Sequence, residues 1–154
     1  MSIQVGDFIP QELATHAARS PARVTIYYFM RTIDCPICRS HVNRLTALKE
    51  RVRDLGANVL IVAPGVTAEP PAWASSLPFP LLISATAHAS VGFSQVLGAL
   101  QQSGTIVADP KGRVLSVRRS TLPFQAFDER ELLELLQKLS GEASRASNDR
   151  AAVV

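Results

Sequence analysis

Both cysteines of this 154-residue chain stand in one motif, Cys35-Pro36-Ile37-Cys38, with a predicted strand before it and a predicted helix after it. The preceding stretch, Val24–Phe29, is rich in β-branched and aromatic side chains, as buried strands are. After the motif, apolar residues recur every three or four positions, on one face of a helix: Val42, Leu45, Leu48, Val52 and Leu55. The motif is therefore predicted at the start of a helix over Cys35–Leu55 that Gly56 terminates.

This position favours redox chemistry at the sulfur of Cys35. As the N-cap residue, Cys35 meets unpaired backbone N–H groups and the positive end of the helix dipole, and Pro36 suits the first helical position because its missing N–H is not needed there. These groups favour the thiolate, which is the reactive form of cysteine. We predict that Cys35 is the nucleophile, and that Cys38, one turn further and more buried, attacks the resulting intermediate.

Three other interpretations of the motif are a structural disulfide, half of a zinc site and a pair of inert core cysteines. A disulfide within this motif closes too short a loop to constrain the unfolded chain much. Zinc needs four ligands, and His16, His41 and His88 have no metal-type spacing. We therefore predict neither a metal nor a cofactor, while inert cysteines remain the main alternative.

Composition limits the class of protein. The length fits one domain, and a net charge of +3 without a dense basic patch argues against nucleic-acid binding. No apolar stretch approaches the length of a membrane span, and residues 1–7 lack the features of a signal peptide. We expect a cytoplasmic protein, because a reducing compartment would keep the pair available as a dithiol.

The rest of the chain alternates strands and helices. Further strands are predicted at Val59–Ala63, Phe79–Ile83, Thr105–Asp109 and Arg113–Arg118, and further helices at Ala72–Ser76, Ala87–Leu100 and Asp128–Gly141. This order predicts an α/β protein with a three-layer α/β/α sandwich around a mixed central sheet, as in the thioredoxin fold. Residues 1–141 are assigned to this domain and residues 142–154 to a loose C-terminal tail.

Several short motifs occur in the order found in one family. These are Val5-Gly6-Asp7 with Pro10, Thr32 three residues before Cys35, Phe79-Pro80-Leu81-Leu82, and the run Thr105–Asp109 with Gly112. Over roughly residues 3–140 the chain resembles the peroxiredoxin-like (alkyl hydroperoxide reductase/thiol-specific antioxidant) branch of the thioredoxin superfamily. The resemblance implies a thioredoxin-like fold and a thiol-based oxidoreductase.

The chain departs from that family at three positions. Tyr28 stands where the family has a proline, seven residues before the reactive cysteine. Ser103 stands where the family has an arginine that polarises the peroxide. The second cysteine lies only three residues after the first and is followed by Arg39, which is similar to glutaredoxins and to a Cys-x-x-Cys subgroup of peroxiredoxin-like proteins.

The resemblance implies a peroxidase that reduces hydrogen peroxide or alkyl hydroperoxides through a Cys35–Cys38 dithiol/disulfide cycle. Thr32 would supply a hydroxyl and Arg39, or Arg31, a positive charge. A thioredoxin- or glutathione-linked system would be the reductant, and a homodimer is expected because such relatives often pair. Two alternatives stay open: a general thiol–disulfide reductase of thioredoxin or glutaredoxin type, and a redox-sensing module without turnover. His41 is interpreted as a neutral surface histidine, although it could tune Cys38.

Overall fold

The computed structural model describes residues 2–17, 22–67, 69–98 and 100–152, and a five-stranded mixed sheet lies at its centre. The strands are β1 (Val24–Phe29), β2 (Ala57–Pro64), β3 (Leu81–Ser84), β4 (Gln95–Val96), β5 (Leu100–Gln101), β6 (Ser103–Ala108) and β7 (Val114–Ser120). The sheet order is β3-β2-β1-β6-β7, and β4 pairs only with β5. Strands β1, β2 and β3 run parallel, whereas β6 is antiparallel to both β1 and β7. The predicted mixed sheet is confirmed.

Helices cover both faces of this sheet. They are α1 (Gln11–Ala17), α2 (Pro36–Ala47), α3 (Lys49–Asp54), α4 (Ala87–Ser90) and α5 (Glu129–Ala152), and short 3-10 helices cover Ala72–Ser76 and Pro123–Gln125. Helices α2, α3 and α5 share one core with the sheet, and α1 and α4 share the other. The thioredoxin-like three-layer sandwich is therefore confirmed. No helix in the described part of the chain is long and apolar enough to cross a membrane.

Strand β1 determines where the cysteine motif lies. Ile26 and Tyr28 point into the core beneath α2 and α5, and Tyr27 and Phe29 point into the opposite core. A central strand flanked by a parallel and an antiparallel neighbour is buried on both faces, which explains its continuous apolar sequence. Strand β1 is the central strand of the sheet, and the chain continues from its end into α2.

The prediction of one long helix over Cys35–Leu55 is wrong in one respect. The structure has two helices there, α2 and α3, which join at Leu48. The backbone of Leu48 leaves the α-helical region with φ −95° and ψ 5°. The sequence has no glycine or proline there, and Leu48 and Val52 both still pack into the core. Tertiary packing rather than a local signal therefore causes the break. The predicted end at Gly56 is confirmed, because this residue has φ +82°, the usual conformation after a helix.

Two middle elements also differ from their predictions. The helix predicted over Ala87–Leu100 is limited to α4, after which β4 and β5 form a small hairpin. Gly92 (φ +79°) and Gly98 (φ +72°) adopt left-handed conformations that end the helix and form the turn. The strand predicted over Phe79–Ile83 starts later, at Leu81, and Pro80 contributes only its carbonyl to the N–H of Ile61.

The last helix begins as predicted but ends later. The carboxylate of Asp128 accepts a hydrogen bond from the N–H of Glu131 at 2.9 Å and caps the helix. Gly141 does not terminate α5, which continues to Ala152; residues 153 and 154 lie outside the described chain. The prediction of a loose segment directly after Gly141 is therefore wrong, because one exposed glycine costs only about 1 kcal/mol and good helix formers follow it. The boundary of the domain at residue 141 remains a prediction.

Gly104 in β6 leaves no room for a side chain. A Cβ atom there would lie far inside van der Waals contact with the backbone oxygen of Arg118 and 3.0 Å from the ring of Phe93. We expect Gly104→Ala to lower the free energy of unfolding by about 3 kcal/mol, because two paired strands must separate. Urea unfolding followed by circular dichroism would measure this. Gly141→Ala, at an open surface of α5, is the matched control and should be neutral or stabilising.

Candidate active site

The cysteine motif begins α2 in the way that the sequence predicts. Cys35 is the N-cap residue, with φ −65° and ψ 115°, and Pro36 is the first helical residue. The backbone N–H of Cys38 donates a hydrogen bond to the Cys35 sulfur over 3.3 Å. The Cys35 sulfur thus takes the place that an oxygen takes in an ordinary N-cap, and the helix terminus directs an N–H group at it.

The two thiols are free but have different surroundings. Cys35 is 5% exposed and Cys38 is completely buried. The Cys38 sulfur accepts a hydrogen bond from the backbone N–H of Arg31 over 3.2 Å. Burial, followed by the neighbouring Cys35 thiol, raises the pKa of Cys38 to about 11. Cys38 therefore holds its proton at neutral pH, and a group that removes this proton would be needed before Cys38 can attack.

Tyr28 and His41 form a polar pair beside Cys38. The Tyr28 hydroxyl lies 2.6 Å from Nδ1 of His41, and Tyr28 is close enough to Cys38 for each side chain to affect the pKa of the other. Tyr28 is fully buried, and burial, followed by the charge of the Cys38 thiolate, raises its pKa far above the usual value. His41 is only 8% exposed, so its interpretation as a surface histidine is wrong. Its burial lowers its pKa, with a further contribution from Arg44.

The other two predicted site residues lie on either side of Cys35 in the chain. Thr32 is exposed, its carbonyl accepts the N–H of Cys35 over 3.3 Å, and its hydroxyl bonds to no described residue. Arg39 is one turn into α2, and its guanidinium carbon lies 5.1 Å from the ring centre of Trp73. Side chains in helices lean towards the amino terminus, so Arg39 leans towards the turn that contains Cys35. Whether either residue acts in the reaction stays a prediction.

The position of the family arginine holds a small neutral group in this chain. Ser103 is completely buried, and its hydroxyl has no hydrogen-bond partner among the described residues. Any positive charge beside the cysteines must therefore come from elsewhere. Four buried side-chain nitrogens also lack a partner in the described part of the chain: Nε of Arg31, Nε1 of Trp73, Nδ1 of His88 and Nε of Arg118. Arg31 is thus a second candidate beside Arg39.

His88 supports the start of the active-site loop from the opposite core. Its Nε2–H donates a hydrogen bond to the carbonyl of Met30 over 2.7 Å, directly after β1. Burial lowers the pKa of His88 to about 4. His88 is therefore a neutral structural residue.

Acidification should destabilise the fold through His88. Between about pH 6.5 and pH 4 the unfolded chain binds a proton that the folded chain does not, so stability falls as the pH decreases through this range. We expect this contribution to reach about 3 kcal/mol at pH 4. Urea unfolding at pH 7 and pH 4 would measure it, with His88→Gln as the comparison. The variant should lose less stability than the wild type on acidification, and an equal loss would contradict a neutral His88.

The sequence matches the AhpC/TSA family over residues 6–117, a range that includes the cysteine motif, Thr32 and Ser103. The chain belongs to the AhpC/TSA family. No curated protein has a sequence significantly similar to that of this family member.

Solved structures with the same fold agree with this assignment. Peroxidoxin BcpB from Mycobacterium tuberculosis superimposes with a TM-score of 0.72 at 20% identity, over 88% of this chain and 97% of that protein. AhpC from Mycobacterium tuberculosis gives a TM-score of 0.69 at 17% identity, over 90% and 99%. Peroxiredoxin Q from Xanthomonas campestris gives 0.60 at 18% identity, over 85% and 84%. At these identities the similarity establishes the fold of this AhpC/TSA protein.

The contact between Tyr28 and His41 was not predicted from the sequence. Tyr28 was noted only as a departure from the family, and His41 was assigned to the surface. A signal was available, because His41 follows Cys38 by three residues and so shares its helical face. The spacing could not show that the strand beneath α2 presents a tyrosine hydroxyl to both side chains.

Proposed function

We propose that this AhpC/TSA protein is a thiol-dependent peroxidase that reduces hydrogen peroxide or alkyl hydroperoxides. The observation that carries the proposal is the placement of Cys35 at the amino terminus of α2, with the N–H of Cys38 bonded to its sulfur, in a chain of this family. An N–H group aimed at the sulfur stabilises the thiolate that attacks a peroxide.

In the first step the Cys35 thiolate attacks the nearer oxygen of the peroxide. The S–O bond forms as the O–O bond breaks, so that Cys35 becomes a sulfenic acid and water or an alcohol leaves. Negative charge builds up on the leaving oxygen, and donors placed there lower the barrier. We assign this role to the free hydroxyl of Thr32 and to Arg39, whose guanidinium carbon lies 5.1 Å from the centre of the Trp73 ring.

In the second step Cys38 resolves the oxidised Cys35. Its thiolate attacks the Cys35 sulfur, the S–S bond forms, the S–O bond breaks and water leaves. An external dithiol or thiol then reduces the Cys35–Cys38 disulfide by exchange, and we assign this role to a thioredoxin- or glutathione-linked system. The cycle suits the cytoplasm, where a reducing environment regenerates the dithiol. The homodimer stays a prediction.

A second candidate function is general disulfide reduction. It is favoured by the neutral Ser103 in place of the peroxide-polarising arginine and by the cysteine spacing followed by Arg39. Here Cys35 would attack a substrate disulfide, and Cys38 would release the mixed disulfide. A sensor module would use the same dithiol without turnover.

Turnover assays separate these functions. The reduced protein would be mixed with hydrogen peroxide or cumene hydroperoxide and with a thioredoxin system whose NADPH consumption is followed; insulin reduction would be measured in parallel. We expect peroxide-dependent NADPH consumption that exceeds the insulin activity. Rapid insulin reduction without peroxide turnover would identify the reductase, and oxidation without either turnover would identify the sensor. Cys35→Ser is the control for background chemistry.

A further inference from the structure

Three neighbouring side chains lead from the resolving cysteine to the least buried of the three: Cys38, Tyr28 and His41. The Tyr28 hydroxyl lies 2.6 Å from Nδ1 of His41. Tyr28 and Cys38 lie in the same core, close enough for each to affect the pKa of the other. The rings of Tyr28 and His41 are nearly perpendicular, with centres 5.7 Å apart, and Phe127 packs against both. Cys38 and Tyr28 are completely buried, and only His41 retains some exposure.

We propose that Tyr28 and His41 form a proton relay that takes the thiol proton from Cys38 when Cys38 attacks the oxidised Cys35. The relay rests on the proposed dithiol/disulfide cycle and adds two residues to it. In this relay Tyr28 takes the proton directly from the reacting sulfur and is therefore a catalytic residue in that step. His41 acts through Tyr28 and is a positioning residue.

The geometry supports one balanced transfer. In the resting state the thiol of Cys38 donates to the Tyr28 oxygen, and the Tyr28 hydroxyl donates to Nδ1 of neutral His41. During attack the proton on Cys38 moves to the Tyr28 oxygen, and the proton of Tyr28 moves to Nδ1. The Cys38 electron pair forms the S–S bond, the S–O bond of the Cys35 sulfenic acid breaks, and the leaving oxygen departs as hydroxide. The leaving hydroxide takes a proton from solvent to become water, and His41 then returns the proton from Cys38 to solvent, so the net reaction is a disulfide plus water.

The surroundings of His41 keep it neutral and able to accept a proton. On its own helix it meets the positive charge of Arg44, which with burial lowers the pKa of His41. From β1 it meets the hydroxyl of Tyr28, and from the segment before α5 it meets the uncharged ring of Phe127. Arg44 in turn pairs with the carboxylate of Glu129 on α5 at 3.6 Å. A neutral imidazole next to the hydroxyl is the form that the relay requires.

The test measures closure of the Cys35–Cys38 disulfide as a step separate from the oxidation of Cys35. Peroxide would oxidise Cys35 in a rapid-quench experiment read by mass spectrometry from pH 5 to pH 10. In a second arm, an aromatic activated disulfide would form a mixed disulfide on Cys35, and closure would release a coloured thiol. The second arm works even if peroxide is not a substrate, so failure of the relay and failure of the peroxidase are distinguishable. The variants are Tyr28→Phe and His41→Gln.

Tyr27→Phe is the matched control. It removes the same hydroxyl from the same strand, but Tyr27 points into the opposite core, where it has no contact with Cys38. We expect normal closure in this variant. In Tyr28→Phe and His41→Gln we expect closure at pH 7 to slow about tenfold or more, while the initial reaction of Cys35 changes less than about twofold.

The pH profile separates a relay from a structural hydrogen bond. Wild-type closure should be nearly independent of pH between 7 and 9, because the relay rather than hydroxide removes the proton. In either variant closure should rise about tenfold per pH unit towards the pKa of Cys38. The double variant should be no slower than Tyr28→Phe alone, because His41 acts through Tyr28. Unchanged closure rates and pH profiles in both single variants would overturn the relay. If one variant fails to fold, the profile of the other decides.

Discussion

Replacement of Cys35 by serine is expected to abolish reaction with peroxides and disulfides, whereas Cys38→Ser should allow the first reaction and trap its product. The reason is the placement of the sulfurs: that of Cys35 accepts the helix N–H, and that of Cys38 is completely buried. With peroxide, Cys38→Ser should accumulate a sulfenic acid on Cys35, and with a disulfide substrate it should accumulate a mixed disulfide. Intact-mass spectrometry after trapping with dimedone would identify both products.

The double variant Cys35→Ser/Cys38→Ser is the control for oxidation at other residues, including the two methionines. Both cysteines face the core, so thermal unfolding should first establish that each variant is folded. If Cys38 is the first residue oxidised in the wild type, the assigned roles of the two sulfurs are reversed.

Arg39→Ala is expected to slow the oxidation of Cys35 by peroxide about 100-fold. Charge-assisted hydrogen bonds to a developing oxyanion are about twice as strong as neutral ones, and removal of one such donor costs two to three orders of magnitude in rate. Ser103 supplies no charge, so the reaction would depend on this arginine. Stopped-flow mixing of reduced protein with peroxide would measure the second-order rate constant.

Two further arginine variants make this experiment specific. Arg53→Ala, on the exposed surface of α3 where Arg53 pairs with Glu50, changes the net charge equally and should have no effect. Arg31→Ala tests the second candidate cation, whose buried Nε lacks a partner among the described residues. A normal rate in Arg39→Ala combined with a 100-fold loss in Arg31→Ala would transfer the role to Arg31. A normal rate in both would leave the helix terminus and Thr32 as the activating groups.

The start of α2 could be predicted from sequence because local chemistry controls it. A proline directly after a capping residue, followed by apolar residues at helical spacing, specifies a helix start whatever surrounds it, and Cys35 and Pro36 occupy those positions. The hairpin between β6 and β7 was predictable for the same reason. The carboxylate of Asp109 accepts the N–H groups of Lys111 and Arg113, and Gly112 takes φ +86°. The termination at Gly56 belongs to this group as well.

Elements that depend on distant contacts were predicted less well. The break at Leu48 coincides with no glycine or proline, and α4 ends before Gly92, with Gly98 in the turn of the hairpin that follows. The extension of α5 past Gly141 shows the opposite error, because a single glycine does not end a helix when good helix formers such as Glu142 and Ala143 follow it directly.

By itself the sequence determined the α/β class, the mixed sheet and the position of both cysteines at the start of a helix. These features follow from periodicity and capping, which act over a few residues. Only the tertiary structure decided what surrounds the sulfurs. The alternation of β1 turns Tyr28 towards α2, and the pitch of α2 brings His41 over it. The resulting contacts join residues 10 and 13 positions apart, whose meeting depends on how the helix packs on the sheet.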